Sequence, residues 1–277
     1  MNIKVYGCRG TVSLSHTYGS RYGGNTSCIK VESGGSVLIV DAGSGIMQME
    51  YELRETYPDY PKGLPFNLNV LISHLHIDHI IGLPTFGPTL NPGANMKIFT
   101  CSRDERPIKE QIFGVYKPPY WPVSMAEIAA AQCVAVEPDV PFDVGPFTVT
   151  PFTAEHPDST LSFHITDGNK VFVHLLDSEV SYMQPHAYEK LLSYCREADM
   201  VVSDAAYSSD DYQMRKGWGH STVKDGIRLA NDSGCKSMMF AHISQSYCDS
   251  TLDSWKRHIM DNRDEYILAH DGLELTL

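Results

Sequence analysis

The segment Ser73-His74-Leu75-His76-Ile77-Asp78-His79 gathers three imidazoles and a carboxylate directly after the apolar run 69–72. In an extended chain, residues two apart point the same way, so His74 and His76 can offer ring nitrogens to one ion. Asp78 and His79 are then free to turn toward a second. Imidazole and carboxylate donors without thiolate suit zinc, with manganese or iron as alternatives, and water fills the open positions of such a site. This is the donor set of a catalytic centre rather than a structural one. A lone histidine capping a buried strand would need no such account; four clustered ligands do.

Those side chains need rigid elements to hold them, and the pattern of apolar runs supplies candidates. Run 69–72 leads into His74, 147–153 into His156, 171–176 into Asp177, 200–203 into Asp204 and 237–241 into His242. In layered α/β folds, loops converge at strand ends while the strands fix their bases, so polar residues placed there are site candidates. Asp41, between the run 37–40 and a glycine-rich turn, is open to two readings, a further ligand or, better suited to its turn, a brace that accepts backbone N–H bonds. His16, His164, His174, His186, His258 and His270 lack a strand-end position.

The strand expectations are 3–6, 27–32, 36–40, 69–72, 96–101, 133–137, 147–153, 161–166, 170–176, 199–203, 236–241 and 266–269. Helices are expected over 46–56, 103–115, 126–131, 185–196, 222–232 and 251–262. Gly34-Gly35 and Asp167-Gly168-Asn169 mark hairpin turns. Lys117-Pro118-Pro119-Tyr120-Trp121-Pro122 cannot be helical, because proline removes donors and fixes the backbone. It reads as a stiff surface connection with a buried tryptophan, or else as a flap over the site.

The 277 residues are enough for one large domain, and 1–277 is read as a single unit. No apolar stretch approaches the roughly 18 residues of a membrane span, and the start lacks a signal-peptide pattern, so the expectation is a cytoplasmic protein with no membrane role. Seven scattered cysteines without a CxxC pair argue for core fillers rather than disulfides or a thiolate site. A formal charge of -12 opposes attraction to a nucleic-acid backbone.

The spacing His-x-His-x-Asp-His, followed by a lone His, a lone Asp and a final His after apolar strands, resembles the metallo-β-lactamase superfamily over nearly the whole chain. The resemblance implies a four-layer αββα sandwich of α/β class. It implies two divalent metal ions, with His74, His76 and His156 on one, Asp78, His79 and His242 on the other, and Asp177 bridging. Asp41 resembles the aspartate in that family's first motif.

Gly217-Trp218-Gly219-His220-Ser221-Thr222, after Ser203-Asp204-Ala205-Ala206-Tyr207, resembles the phosphodiesterase branch, which includes RNase Z and cyclic-phosphate diesterases. There the histidine contacts phosphate and assists the leaving oxygen, and an acidic residue orients it, which gives those roles to His220 and Asp204. Thr222-Val223-Lys224-Asp225 also resembles a capping box, whose helix N-terminus would attract phosphate oxygens.

The expected activity is therefore hydrolysis of a small or cyclic phosphodiester by hydroxide generated at the metals, with Asp78 orienting the hydroxide and His220 assisting departure. The rival readings are a carboxyl-ester, thioester or lactone hydrolase, a tRNA 3′-processing endonuclease, and a metal-binding module without turnover. The expected partner is a small phosphodiester, with nucleic acid disfavoured and a homodimer left open.

Overall fold

Alternating apolar residues in short strands build two sheets back to back. A computed structural model of the chain describes residues 1–15 and 21–277; His16 lies outside them. Strands β1 (Asn2–Gly7), β2 (Cys28–Ser33), β3 (Ser36–Val40), β4 (Leu68–Leu71), β5 (Lys97–Thr100) and β6 (Gln132–Ala135) lie in one sheet. The second holds β7 (Phe142–Val144), β8 (Phe147–Thr153), β9 (Leu161–Thr166), β10 (Val171–Leu175), β11 (Met200–Asp204), β12 (Met238–Ala241) and β13 (Tyr266–Leu268). The last strand, β14 (Glu274–Thr276), returns to the first sheet and pairs antiparallel with β1.

The helices are α1 (Ile46–Thr56), α2 (Ile77–Ile80), α3 (Gly87–Leu90), α4 (Ile108–Phe113), α5 (Met125–Ile128), α6 (Pro185–Cys195), α7 (Ser209–Tyr212), α8 (Val223–Ser233) and α9 (Asp249–His258). No helix among the described residues is long and apolar enough to cross a membrane.

The period-two alternation decides the layering. In β3, Leu38 and Val40 enter the core between the sheets, while Val37 and Ile39 face α1, α4 and α5. In β12, Met239 and Ala241 face the other sheet, and Met238 and Phe240 pack with α6, α8 and α9. Three apolar cores thus separate four layers, the αββα sandwich that the resemblance implied. Phe240 is fully buried; Phe240→Ala would cost about 3–5 kcal/mol of stability.

Strands β3 to β6 run parallel, as do β10 to β13. Their carboxyl ends carry the loops that make the site. The β2–β3 hairpin turns on Gly34 and Gly35, both at positive φ, as expected.

Several elements differ from the sequence reading. Helix α4 is shorter than 103–115 because its lead-in is a turn: the Asp104 carboxylate accepts from Arg106 N, and the Gln111 amide bonds Ser102, Asp104 and Arg106. The edge strands β7 and β14 went unforeseen, since three residues carry too little alternation to register. In the proline-rich connection Trp121 is half-buried edge-on against Tyr116 and belongs to the apolar cluster of the first helix layer. All seven cysteines are free, and Cys248 is exposed rather than a core filler.

Candidate metal centre

Three strand-end residues take left-handed backbone conformations: Asp41 (φ +61), Asp177 (φ +50) and His242 (φ +58). For residues with a side chain this costs on the order of 1–3 kcal/mol each. The strain sits where the loops after β3, β4, β8, β10, β11 and β12 meet.

Asp41, fully buried, accepts from Ser73 N (2.8 Å), Ser73 Oγ (2.9 Å) and His79 Nδ1 (2.8 Å). It is the brace expected of it. With its Nδ1 proton spent there, His79 turns Nε2 toward Asp177 Oδ2 (3.1 Å) and Asp78 Oδ2 (3.4 Å). His242 Nε2 reaches the same two oxygens, at 3.3 and 3.2 Å. The cluster segment is not extended throughout, because α2 begins at Ile77 and its turn swings Asp78 and His79 away from His76.

On the other side, the rings of His74, His76 and His156 meet with centroids 4.3 to 5.1 Å apart. His74 Nε2 and His156 Nε2 both lie 3.8 Å from Asp177 Oδ1. The Asp177 carboxylate therefore stands between two groups, one oxygen facing His74 and His156 and the other facing His79 and His242.

The residues fit a pair of cations. Ligand atoms of His74, His76, His156 and Asp177 lie within 4.8 Å of one another, as do those of Asp78, His79 and His242. Among the described residues, buried His74 Nε2 has no hydrogen-bond partner and Asp177 Oδ2 meets only histidine nitrogens, although both point into the cluster. Three buried carboxylates, Asp78, Asp177 and Asp204, have only histidines as ion-pair partners among the described residues. Buried anions of this density need compensating positive charge.

The charge balance shows in the imidazoles. Burial, reinforced by the neighbouring His79, pushes His74 well below its ordinary pKa, and burial takes His156 down to about 4, so both rings keep a free lone pair. Burial also disfavours a charged His242, but the Asp177, Asp204 and Asp78 carboxylates outweigh it and lift the ring to about 10. His79 is raised well above its usual value against the same burial, by Asp177, Asp78 and Asp41.

His220 stands beside this set. Its Nδ1 lies 2.8 Å from Asp204 Oδ2 and 3.8 Å from Asp177 Oδ1, and its ring stacks on His242 at 5.0 Å. Burial lowers its pKa, yet the charge and hydrogen bond of Asp204 carry it above the ordinary value. Asp204 does more than orient one ring. Fully buried, it also accepts from Asp177 N (3.2 Å), Ala206 N (2.9 Å) and Ser221 N (3.0 Å), and lies 3.4 Å from His242 Nδ1. Ligand atoms of Asp177, Asp204, His220 and His242 form a third close group.

The capping box at α8 is present. However, the amides of Thr222 and Asp225 bond each other's side chains, so those two donors are spent within the box and cannot serve a phosphate.

Sequence reasoning missed four contacts. Thr11 N donates to Asp78 Oδ2 (2.6 Å). Asp158 Oδ2 pairs with His76 Nε2 (2.7 Å). Buried His174 lies 3.8 Å behind Asp41. Buried Glu179 accepts from Gly217 N (2.8 Å), Gly219 N (2.9 Å) and the Tyr212 hydroxyl (2.8 Å). For Glu179 a signal existed: two glycines in Gly-Trp-Gly, which take φ of +82 and +86, call for an acceptor to organise their exposed amides.

A family model described as the beta-lactamase superfamily domain matches residues 37–243, which include the whole cluster from Asp41 to His242. The chain belongs to the beta-lactamase superfamily. Among its relatives, the probable metallo-hydrolase YhfI of Bacillus subtilis is 24% identical over 88% of this chain and 87% of its own. A ribonuclease Z of Haloarcula marismortui is also 24% identical, over 90% of each chain.

The fold is shared with crystal structures of other proteins. YhfI aligns with a TM-score of 0.73 at 21% identity, over 99% of this chain and 98% of its own. Zn(2+)-bound PqqB from Methylobacterium extorquens aligns at 0.74 and 21%, over 100% of both. A diphosphatase from the PhnP family aligns at 0.71 and 18%, over 100% of this chain and 97% of its own. The protein is a metal-dependent hydrolase of this superfamily.

Proposed function

We propose that the protein is a dinuclear phosphodiesterase acting on a small or cyclic phosphodiester. His220 carries the reading: it is a part-buried imidazole outside the seven expected ligands, fixed by Asp204 at 2.8 Å and facing the oxygen that Asp177 turns toward His74 and His156. The relatives support phosphorus chemistry, one being named a ribonuclease Z and one structure a diphosphatase. The net charge of -12 favours a small substrate over a polyanion.

In this reading His74, His76 and His156 would hold one ion and Asp78, His79 and His242 the other, with Asp177 shared between the two groups. Zinc matches the donor set, and the zinc-bound PqqB structure supports it. When bound, the ions supply Lewis-acid charge stabilisation and lower the pKa of water toward neutrality. The chain's own groups do the positioning. Asp78, pinned by the Thr11 amide, accepts a hydrogen bond from the attacking water and aims it. His220, its Nδ1 occupied by Asp204, uses Nε2 to protonate the departing alkoxide.

Side-by-side assays test this on the zinc- and manganese-loaded enzyme, with bis(p-nitrophenyl) phosphate, a 2′,3′-cyclic nucleotide, an acyl lactone, a thioester and a β-lactam. Phosphodiesters should be cleaved and β-lactams spared. Lactone or thioester turnover exceeding phosphodiester turnover by orders of magnitude across metals would overturn the reading.

A further inference from the structure

Two residues before His220, a large aromatic ring stands in water: Trp218 is 57% exposed. Its backbone is nonetheless pinned on every side. The amides flanking it, Gly217 N and Gly219 N, both donate to the buried Glu179 carboxylate, and Trp218 N donates to Arg215 O at 3.1 Å. Gly219 presses so closely on the centre that a Cβ there would lie 2.2 Å from His156 Cδ2. The indole is therefore carried at the rim of the metal cluster by a loop with no slack.

Its neighbours continue inward. The Arg215 guanidinium lies 6.0 Å from the Trp218 ring and 4.9 Å from the Tyr207 ring, and Tyr207 meets His220 edge-on at 5.6 Å. Arg215 is itself held by the Asp211 carbonyl (3.1 Å) and carboxylate (3.3 Å). A solvent-facing indole carried on a fixed backbone and backed by a cation is a stacking surface whose main chain needs no further ordering. Such surfaces take flat π-systems, and the adjacent cation favours one that carries an anionic group.

We propose that Trp218, backed by Arg215, forms a subsite that stacks a planar aromatic group of the substrate, so that the preferred phosphate ester carries a nucleobase or an aryl substituent. The inference rests on the phosphodiesterase reading for the phosphate and adds what lies beside it.

Calorimetry on the zinc-loaded full chain tests it without turnover. Adenosine 5′-monophosphate is compared with ribose 5-phosphate, and phenyl phosphate with methyl phosphate, on the wild type, Trp218→Ala and Trp218→Phe. The aromatic member should bind about 5- to 150-fold tighter, with the ratio lost in Trp218→Ala and largely kept in Trp218→Phe. A ratio confined to the first pair assigns a nucleobase, and one confined to the second an aryl group. Equal affinities in the wild type, or a ratio that survives Trp218→Ala, would overturn the subsite.

Kinetically, kcat/KM for the methyl ester of adenosine 5′-monophosphate relative to that of ribose 5-phosphate should fall by the same factor in Trp218→Ala. If the wild type cleaved neither ester nor any other phosphodiester, the phosphodiesterase reading would fail, while the binding comparison would still decide the subsite.

Discussion

His220 and Asp204 differ in what their loss should do, because one has a single strong contact and the other is a hub. His220→Ala removes a part-buried ring hydrogen-bonded, among the described residues, only to Asp204. We expect metal content and folding to survive and kcat on an alkyl phosphodiester to drop about 10²- to 10⁴-fold, the usual contribution of a positioned general acid. The drop should shrink on nitrophenyl esters, whose leaving group needs little protonation; an undiminished alkyl-ester rate with both metals held would reduce the motif to a helix cap. Asp204→Asn is not a milder copy of that variant. An asparagine NH2 would be set against one or more of the amides of Asp177, Ala206 and Ser221, which now donate to the carboxylate. Each buried donor left unpaired costs about 1–3 kcal/mol, so the variant should lose stability in denaturant melts as well as rate.

Among the elements, the loop 177–180 and the loop 217–221 are clasped together. Glu179 takes two glycine amides, Ser221 Oγ donates to Ser178 O at 2.6 Å, and Val180 N donates to Ser221 Oγ at 3.0 Å. Because Asp177 begins one loop and His220 lies in the other, the clasp sets the Asp177 carboxylate against the His220 ring. Glu179→Gln keeps the size but gives an NH2 in place of one acceptor, which leaves Gly217 N or Gly219 N facing a donor. The expected result is a loss of about 1–3 kcal/mol in stability and a fall in kcat on alkyl esters. That fall should largely vanish in a His220→Ala background, and a double-mutant cycle showing full additivity would refute coupling through His220.

At the level of the whole molecule, the two groups of candidate ligands come from both sheets: His74, His76, Asp78 and His79 follow β4 of the first, while His156, Asp177 and His242 follow β8, β10 and β12 of the second. Ions bound there would tie the sheets together at their carboxyl ends. We expect two metal equivalents per chain, about half of that or less in His76→Ala and Asp177→Ala, and a chelator-induced drop in Tm that added zinc reverses, since a ligand bound only by the native state stabilises it. Elemental analysis and calorimetry read both; a fixed single equivalent that no added metal raises would sink the dinuclear reading. With β14 closing the first sheet beside β1, the chain should unfold in one calorimetric transition.

Much of this was legible in the chain itself. The donors of the candidate metal centre, their strand-end positions and the alternation that makes four layers follow from short-range rules: side-chain period, turn residues and motif spacing. The strands over 147–153 and 161–166 and the helix over 46–56 were readable to the residue, because their apolar patterns are strong. What the tertiary structure alone decided is which buried polar groups satisfy one another. The Thr11 amide on Asp78, the Asp158 carboxylate on His76, the Asp177 and Ser221 amides on Asp204 and the Glu179 clasp under Trp218 join residues from different loops. No local propensity encodes such a meeting. It is fixed only when two sheets pack and every buried donor that loses water must find whatever acceptor the fold has brought beside it.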